Sequence, residues 1–360
     1  MSNGGTHCPT QFDFGVRLGL TFVVQTACLS AVASAALLSY IGYSAAKVRR
    51  NAARKWTVTT HVHWYFLSLL VSELIQAIGG IINVRWIADA TVTQGSVCTA
   101  QGVLKQFGDV GVALASLAIA THTFFTLVFR WRPNPSSKLP LLIVTSIWIA
   151  LALIIGISFA THQHKIYYGD TQYWCWITSD YPVQRIVLEY LWMWITAFAN
   201  IALYIPMALC IIYDATVAVN GWHIRIVKNP KSYRDDRRPE VKLAIKMLVY
   251  PAIYTITVLP IAICRWLGFD SRGCSRVPWA ATVFADLVFA SSGFFNVLLY
   301  TITRPNLRPH RMIPERSSLM VTPHSDPGTA GSTLSKREGS EASRMSDLGP
   351  RVPPPEPGRP

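Results

Sequence analysis

Charged residues are scarce in this sequence. Asp, Glu, Lys and Arg make up 14% of its 360 residues, whereas soluble domains carry roughly a quarter. Hydrophobic residues make up 51%. This composition argues against a soluble protein and favours one that is embedded in a membrane.

Long, largely uncharged runs supply the second indication of a membrane protein. A bilayer core of about 30 Å takes about 20 helical residues to cross. The sequence therefore predicts an all-α membrane protein, a seven-transmembrane-helix bundle. The predicted spans are residues 18–46, 64–86, 99–129, 139–160, 186–217, 243–266 and 278–301. The first run is far longer than the apolar part of a cleaved signal peptide, so we expect it to act as an uncleaved anchor.

Basic residues are concentrated in every second loop. The loops rich in Lys and Arg lie near residues 47–55, 130–138, 225–242 and 304–316. Lys and Arg resist translocation across the membrane, so the alternation predicts an extracellular amino terminus and a cytosolic carboxyl tail. Because the positive charge lies between apolar runs, we expect contact with membrane lipid and not with nucleic acid.

Composition also divides the chain into three parts. We expect an extracellular segment at 1–17, the bundle at 18–304 and a cytoplasmic tail at 305–360. The tail is rich in Pro, Ser and Gly and has too little apolar surface to offset the entropy cost of ordering, so we expect it to be disordered. The predicted location is the plasma membrane.

Two cysteines are predicted on the extracellular side. Cys98 falls at the outer mouth of the third span and Cys175 falls in the loop after the fourth. Disulfides persist in that compartment, so we expect the two to pair and to hold residues 173–177 over the bundle, with two free thiols as the alternative. Whether Cys8 and Cys274 form a second bridge is not decided by the sequence.

Ionisable residues inside the predicted spans mark candidate sites, because a charge at mid-membrane costs about 3 kcal/mol or more. Lys105 and Asp109 are four residues apart on one helix face, so they either neutralise each other or contact a ligand. Glu189 and Asp286 could reach the same cavity. The predicted ligand-binding residues are Lys105, Asp109, Glu189, Trp192, Tyr254 and Asp286. Arg85 and Glu189 lie near the interface, where a solvated position is the expected one.

Polar and proline residues deeper in the spans suggest a conformational switch. Glu73 in the second span and Asn296 in the seventh are placed to hydrogen-bond across helices. Pro251 and Pro260 each remove a helical hydrogen bond and so favour bending of the sixth span.

Several of these residues together resemble a known family. The residues that carry the resemblance are Tyr250, Pro251, Tyr254, Leu259, Pro260, Asn296, Tyr300, Cys98 and Cys175. The chain resembles the fungal cyclic-AMP-receptor-like and glucose-receptor-like G-protein-coupled receptors over about residues 15–310. The resemblance implies an extracellular ligand of unknown identity and a heterotrimeric G protein as partner.

The chain departs from the rhodopsin-like receptors at two motifs. Valine replaces the proline of the Asn-Pro-x-x-Tyr motif between Asn296 and Tyr300, and no acidic-Arg-Tyr triplet ends the third span. Arg130 is the basic residue at that helix end. The predicted G-protein contacts are Arg130, Arg237, Arg238, Lys242, Lys246 and Tyr300. Basic residues at these positions also fit the general positive-inside bias and binding to anionic lipid.

Other seven-span proteins fit less well. A microbial rhodopsin needs a Schiff-base lysine in the last span, and residues 278–301 contain none. A metal-dependent hydrolase needs ligands at one depth, whereas His61, His63 and His122 lie on one side and His162 and His164 on the other. We therefore expect no enzyme, no metal and no cofactor. A membrane transporter of a small solute remains the alternative, although no repeated half is visible.

Overall fold

The computed structural model describes residues 11–50, 62–129, 131, 138–162, 166–212, 215–220, 223–228, 238–268 and 277–303. Side chains are described for most but not all residues of these ranges. The predicted tail, Arg130, Arg237 and the Cys8 and Cys274 pair lie outside the described residues.

The first four spans are helices whose apolar runs are long enough to cross a bilayer. The first is α1 (Phe14–Arg50), and the second is α2 (Val62–Ile81) continued by the short α3 (Asn83–Asp89). The third is α4 (Ser96–Val128) and the fourth is α5 (Leu139–Thr161). Most side chains of the fourth span are exposed on the bundle surface, as expected where a helix faces lipid.

The last three spans are each built from more than a plain apolar helix. The fifth joins α6 (Pro182–Arg185), a π-helical turn (Ile186–Tyr190) and α7 (Leu191–Ile212). The sixth is α8 (Arg238–Leu267), and the seventh is α9 (Trp279–Ala290) followed by α10 (Ser292–Thr303). Within the described residues, six spans meet the length and hydropathy of a membrane helix, and the sixth has the shorter apolar stretch Ala252–Leu267.

These helices form the predicted all-α membrane bundle. The third span packs against the second, fourth, fifth and sixth, whereas the first packs against the second and seventh. Glycines allow the second and third spans to approach closely: a Cβ built at Gly108 would lie 2.6 Å from Cα of Gln76. Small residues at helix contacts are the usual means of close packing in membranes.

A short hairpin lies across one end of the bundle. Strand β1 (Tyr168–Asp170) pairs with β2 (Cys175–Ile177) in antiparallel register, with Tyr168 opposite Ile177 and Asp170 opposite Cys175. A disulfide joins Cys175 to Cys98 at the start of the third span, which confirms the predicted pair. We call this end of the bundle the disulfide end.

The fifth span ends earlier than predicted. Helix α7 stops at Ile212, and the predicted span extended to residue 217. Strand β3 (Ala215–Asn220) instead pairs with β4 (His223–Lys228). The β-branched and alternating pattern of 215–228 favours a hairpin, and the count of apolar residues alone does not distinguish it from helix.

The seventh span is interrupted at Ser291, between α9 and α10. The side chain of Ser30 on the first span donates to the carbonyl oxygen of Ala290 at 2.5 Å. The same hydroxyl accepts from the backbone N–H of Phe294 at 3.2 Å. A neighbouring helix thus satisfies backbone groups next to the break, which lipid could not do.

Candidate functional site

Arg265 on the sixth span lies at the centre of a buried ion-pair cluster near the disulfide end. Its Nη1 is 3.1 Å from Oδ2 of Asp109 on the third span and 2.9 Å from Oε1 of Glu189 on the fifth. All three side chains are at least nine-tenths buried. Because charges are costly to bury without a partner, this arrangement ties three spans together.

The π-helical turn of the fifth span carries Glu189. A π turn inserts one residue into the helical repeat and is frequent at functional sites. The expected solvated position of Glu189 is wrong: this side chain is fully buried, because it pairs with Arg265 and accepts a hydrogen bond from Nε1 of Trp176 in the hairpin. The local irregularity of the fifth span therefore holds a carboxylate between the sixth span and the hairpin.

Asp109 extends the cluster to the second span. Its Oδ1 accepts a hydrogen bond of 2.9 Å from Nε2 of Gln76, while its Oδ2 faces Arg265. Both oxygens of this carboxylate therefore have partners on other helices, which is how a buried charge is normally accommodated.

Lys105 pairs with Asp286 on the seventh span, with Nζ 3.8 Å from Oδ1. The ammonium also lies 4.7 Å from the ring centroid of Trp174. The pairing of Lys105 with Asp109, which was one of the two predicted alternatives, is absent among the described residues. The reason is that each of the two side chains meets an opposite charge on another helix, so both serve to connect spans.

The hairpin covers this cluster with two buried tryptophans. The Cζ of Arg265 is 5.8 Å from the ring centroid of Trp174 and 5.3 Å from that of Trp176. These distances suit cation–π attraction, which strengthens where water is excluded. The predicted lid over the bundle is therefore present, and its aromatic faces lie against the guanidinium.

Gln101 of the third span fixes the hairpin from below. Its Oε1 accepts hydrogen bonds from the backbone N–H of Cys175 at 2.8 Å and from Nε1 of Trp86 at 2.7 Å. Tyr168 of the hairpin donates to Oε1 of Gln106 at 2.6 Å. Burial raises the pKa of the Tyr168 phenol above its ordinary value, so this group remains a donor. Burial raises the pKa of the Tyr173 phenol in the same way.

Two cavities adjoin these residues. The larger cavity has a volume of about 90 Å³ and is open. Its walls include Trp174, Trp176, Arg185, Cys264, Arg265 and Thr282. The smaller cavity has a volume of about 20 Å³, which is room for about one water molecule. Glu73, Lys105 and Asp286 line it.

A second polar contact lies deeper in the bundle. Nδ2 of Asn296 on the seventh span donates a hydrogen bond to Oε1 of Glu73 on the second, and both side chains are buried. Towards the end opposite the disulfide, the ring of Tyr300 stacks on Phe66 with centroids 4.5 Å apart. The structure therefore brings together residues that the sequence had suggested for a switch.

Comparison with known proteins gives one informative match. No family model matches the chain. Over 189 residues the chain is 26% identical to the ascaroside receptor GPR2 of Arthrobotrys oligospora. The match covers 50% of this chain and 44% of that receptor, so it spans less than half of the relative's length.

The chain resembles a fungal G-protein-coupled receptor. This likeness, together with the helix bundle and the disulfide, confirms the predicted resemblance to fungal G-protein-coupled receptors in general. The narrower likeness to cyclic-AMP and glucose receptors stays a prediction.

This receptor-like bundle brings together four of the six predicted ligand residues: Lys105, Asp109, Glu189 and Asp286. Tyr254 is buried on the sixth span. Trp192 is half-buried, and no ring contact or hydrogen bond joins it to the cluster in the described part of the chain. Arg85 lies outside the cluster and pairs with Asp89 at 2.7 Å, with 64% of its side chain exposed.

Sequence reasoning missed Arg265, although a signal was available. Asp109, Glu189 and Asp286 outnumber the single cation Lys105 among the deep charges considered, and buried charges need partners. That excess of acids calls for a second deep cation, and Arg265 is the charged residue at the end of the sixth apolar run.

The residues predicted to contact a G protein are only partly described. Arg238, Lys242 and Lys246 belong to the first turns of α8, but their side chains lie outside the described residues. The helix also contains Pro251 and Pro260 and continues through both.

Proposed function

We propose that this chain is a G-protein-coupled receptor. In this proposal it lies in the plasma membrane with its amino terminus outside. It senses an extracellular ligand at the disulfide end and activates a heterotrimeric G protein at the opposite end. The likeness to a fungal receptor supports a receptor in general, and the buried cluster supports the location of the ligand site.

The observation that carries the proposal is the contact of one guanidinium nitrogen with two carboxylates from different spans. Arg265 holds Asp109 and Glu189 at 3.1 and 2.9 Å, directly below the hairpin and beside an open cavity. A ligand that contacts this cluster alters the balance of charges between the third, fifth and sixth spans. It thereby changes the relative stability of two helix arrangements.

The orientation rests on the distribution of charge and on the disulfide. Lys and Arg occupy every second loop, and the Cys98–Cys175 bridge belongs to the opposite set of loops. Basic loops face the cytosol, and disulfides persist outside the cell. We therefore take the disulfide end as extracellular.

Transmission through the bundle would use the seventh span. It contacts the first span at the break near Ser291 and the second through the hydrogen bond between Asn296 and Glu73. A helix with a break can change its direction at that point with little loss of backbone hydrogen bonding. Pro251 and Pro260 would serve the same purpose in the sixth span.

The G protein would bind at the other end, where basic residues are frequent. Arg130, Arg237, Arg238, Lys242 and Lys246 would face it, with Tyr300 at the base of the seventh span. Positive side chains suit the carbonyl end of an inserted partner helix. The relative is named as an ascaroside receptor, so an ascaroside is one ligand to test on this chain.

Nucleotide exchange by purified fungal G-protein α-subunits tests the proposal. The full-length chain would be placed in vesicles and compared with Tyr300→Ala, Arg238→Glu and Arg265→Lys. We expect exchange above empty vesicles, loss in the first two variants and an altered basal rate in the third. Arg85→Gln is the matched control, because Arg85 is largely exposed and its ion pair is local.

One combined result of the exchange and uptake assays would contradict the receptor proposal. The receptor proposal would be abandoned if no α-subunit exchanged nucleotide and the same vesicles took up a radiolabelled solute. That result would favour the transporter.

A further inference from the structure

Arg265 uses only one of its three guanidinium nitrogens for the ion pairs. Nη1 faces both carboxylates, whereas Nε and Nη2 are buried and have no hydrogen-bond partner. A buried donor without an acceptor costs about 1 to 3 kcal/mol. An acceptor that binds Nε and Nη2 would therefore remove a free-energy cost from this buried side chain.

The two free nitrogens form one edge of the guanidinium plane. Nε and Nη2 each present an N–H in the same direction, with the spacing that matches two oxygens of a carboxylate or phosphate. The edge that faces Asp109 and Glu189 is separate from this one. A bidentate acceptor on this edge would leave both ion pairs in place.

The open cavity beside Arg265 is lined by several N–H donors that lack an acceptor. Among its described lining residues, the buried polar atoms without a partner are Nε and Nη2 of Arg265 and Nε1 of Trp174. All three are N–H donors. The half-buried Arg185 adds a second positive charge, with its Cζ 5.0 Å from the ring centroid of Trp176.

The local charges also permit an anion. Asp109 and Glu189 carry two negative charges, and Arg265 and Arg185 carry two positive ones, so these four side chains sum to zero before a ligand binds. Of these four residues, only the two arginines line the cavity. Trp174 and Trp176 also line the cavity and add apolar surface for the rest of the molecule.

We propose that this cavity binds the anionic group of an extracellular organic ligand, a carboxylate in the first instance, on the free Nε–Nη2 edge of Arg265. The proposal rests on the proposed receptor function and narrows its ligand to organic anions with an apolar body. A carboxylate in this position would accept from Nε–H and from one N–H of Nη2, so that four of the five N–H groups of Arg265 would have an acceptor.

The first test is direct binding, without a G protein. The full chain in phosphatidylcholine nanodiscs would be titrated with 4-fluorobenzoate and, separately, with 4-fluorobenzamide, followed by fluorine NMR line broadening. The two probes share shape and apolar area and differ in charge. We expect the carboxylate to bind at least about tenfold more tightly, since charge-assisted bidentate hydrogen bonds are roughly twice as strong as neutral ones. Equal binding of the amide would overturn the proposal.

Variants then locate the site. Arg265→Lys keeps a positive charge between the two carboxylates but removes the planar fork, so we expect about a tenfold loss of 4-fluorobenzoate affinity. Arg85→Gln removes a cation that is 64% exposed and should leave the affinity unchanged. Equal losses in both variants would indicate attraction to general surface charge and contradict the site.

Cys264 gives a second readout that leaves Arg265 intact. This free cysteine is half-buried and lines the same cavity. An anionic methanethiosulfonate should modify it faster than a cationic one, after both rates are divided by those for a small free thiol, and 4-fluorobenzoate should slow the reaction. Cys264→Ser identifies labelling at other cysteines. Preference for the cationic reagent would contradict an anion site.

Nanodisc composition separates a dissolved ligand from a lipid headgroup, which has the same anionic chemistry. At a salt concentration that screens the negative lipid surface, equal affinity for 4-fluorobenzoate in phosphatidylcholine and phosphatidylglycerol supports a dissolved ligand. Loss of binding in phosphatidylglycerol would assign the cavity to lipid and overturn the proposal. Binding of the probe without nucleotide exchange would contradict the receptor function alone, whereas exchange without probe binding would contradict the anion site alone.

Discussion

Nζ of Lys105 lies 3.8 Å from Oδ1 of Asp286, and this pair connects the third span to the seventh. Side-chain exposure is only 5% and 3%, so neither charge is solvated. The contact also borders the small cavity that Glu73 lines. A double-mutant cycle measures the energetic coupling between the two residues.

Lys105→Met or Asp286→Asn alone should lower the free energy of unfolding by about 3 kcal/mol, because each leaves an uncompensated buried charge. The double variant should recover more than half of that loss. Thermal unfolding of all four proteins in nanodiscs provides the measurement. Strictly additive losses would show that the two residues do not interact.

Glu73 and Asn296 should respond differently to substitution. Glu73→Gln keeps an oxygen that accepts from Asn296 and removes the cost of a buried charge, so we expect unchanged or slightly higher stability. Asn296→Ala removes the donor and should cost about 2 kcal/mol, since the carboxyl group then loses its hydrogen bond. Unfolding curves of the two variants provide the measurement, and an equal loss of stability in both would contradict this explanation.

Loss of the disulfide should loosen the hairpin and destabilise the bundle. Cys98 and Cys175 are 77 residues apart in sequence, and the chain-entropy model gives about 4.5 kcal/mol for a loop of that size. Cys98→Ser with Cys175→Ser should therefore unfold at a lower temperature. Cys28→Ser is the control because Cys28 is free and exposed. An identical transition with and without the bridge would argue against a structural role.

Two glycines in the middle of spans form a matched pair for testing helix packing. A Cβ at Gly108 would meet the backbone of Gln76 at 2.6 Å, whereas a Cβ at Gly156 would meet nothing within 4 Å. Gly108→Ala should cost about 2 kcal/mol by forcing the second and third spans apart. Gly156→Ala should stabilise its helix by about 0.5 to 1 kcal/mol. Similar effects of both substitutions on unfolding would contradict the close approach at Gly108.

Much of the fold could be predicted because a membrane permits few backbone structures to cross it. Spans must be long, apolar and helical, so length and hydropathy located all seven within a few residues at most ends. The fifth span was the exception: residues 215–220 are apolar but form a strand, and hydropathy does not register the difference. The disulfide followed from the side of the membrane on which the two cysteines lie.

The site was harder to predict because its partners come from different spans. Spacing within one helix suggested that Lys105 pairs with Asp109, yet both find opposite charges on other helices. The π turn of the fifth span helps to place Glu189. Hydrophobic periodicity in the sequence gives no signal for such a turn. Only the balance of deep charges pointed towards Arg265.

The hairpin of β1 and β2 is held on both strands. Gln94 donates to the carbonyl oxygen of Tyr168 at 2.8 Å, and Arg185 donates to that of Ile177 at 2.7 Å, in addition to the disulfide. A cover fixed in this way does not swing aside, so a ligand of the proposed site would have to pass the mouth of the cavity beside it in both directions. Slow passage lengthens the residence time of a bound molecule. The hairpin would then set how long a signal persists after the stimulus is removed, independently of how tightly the cluster binds.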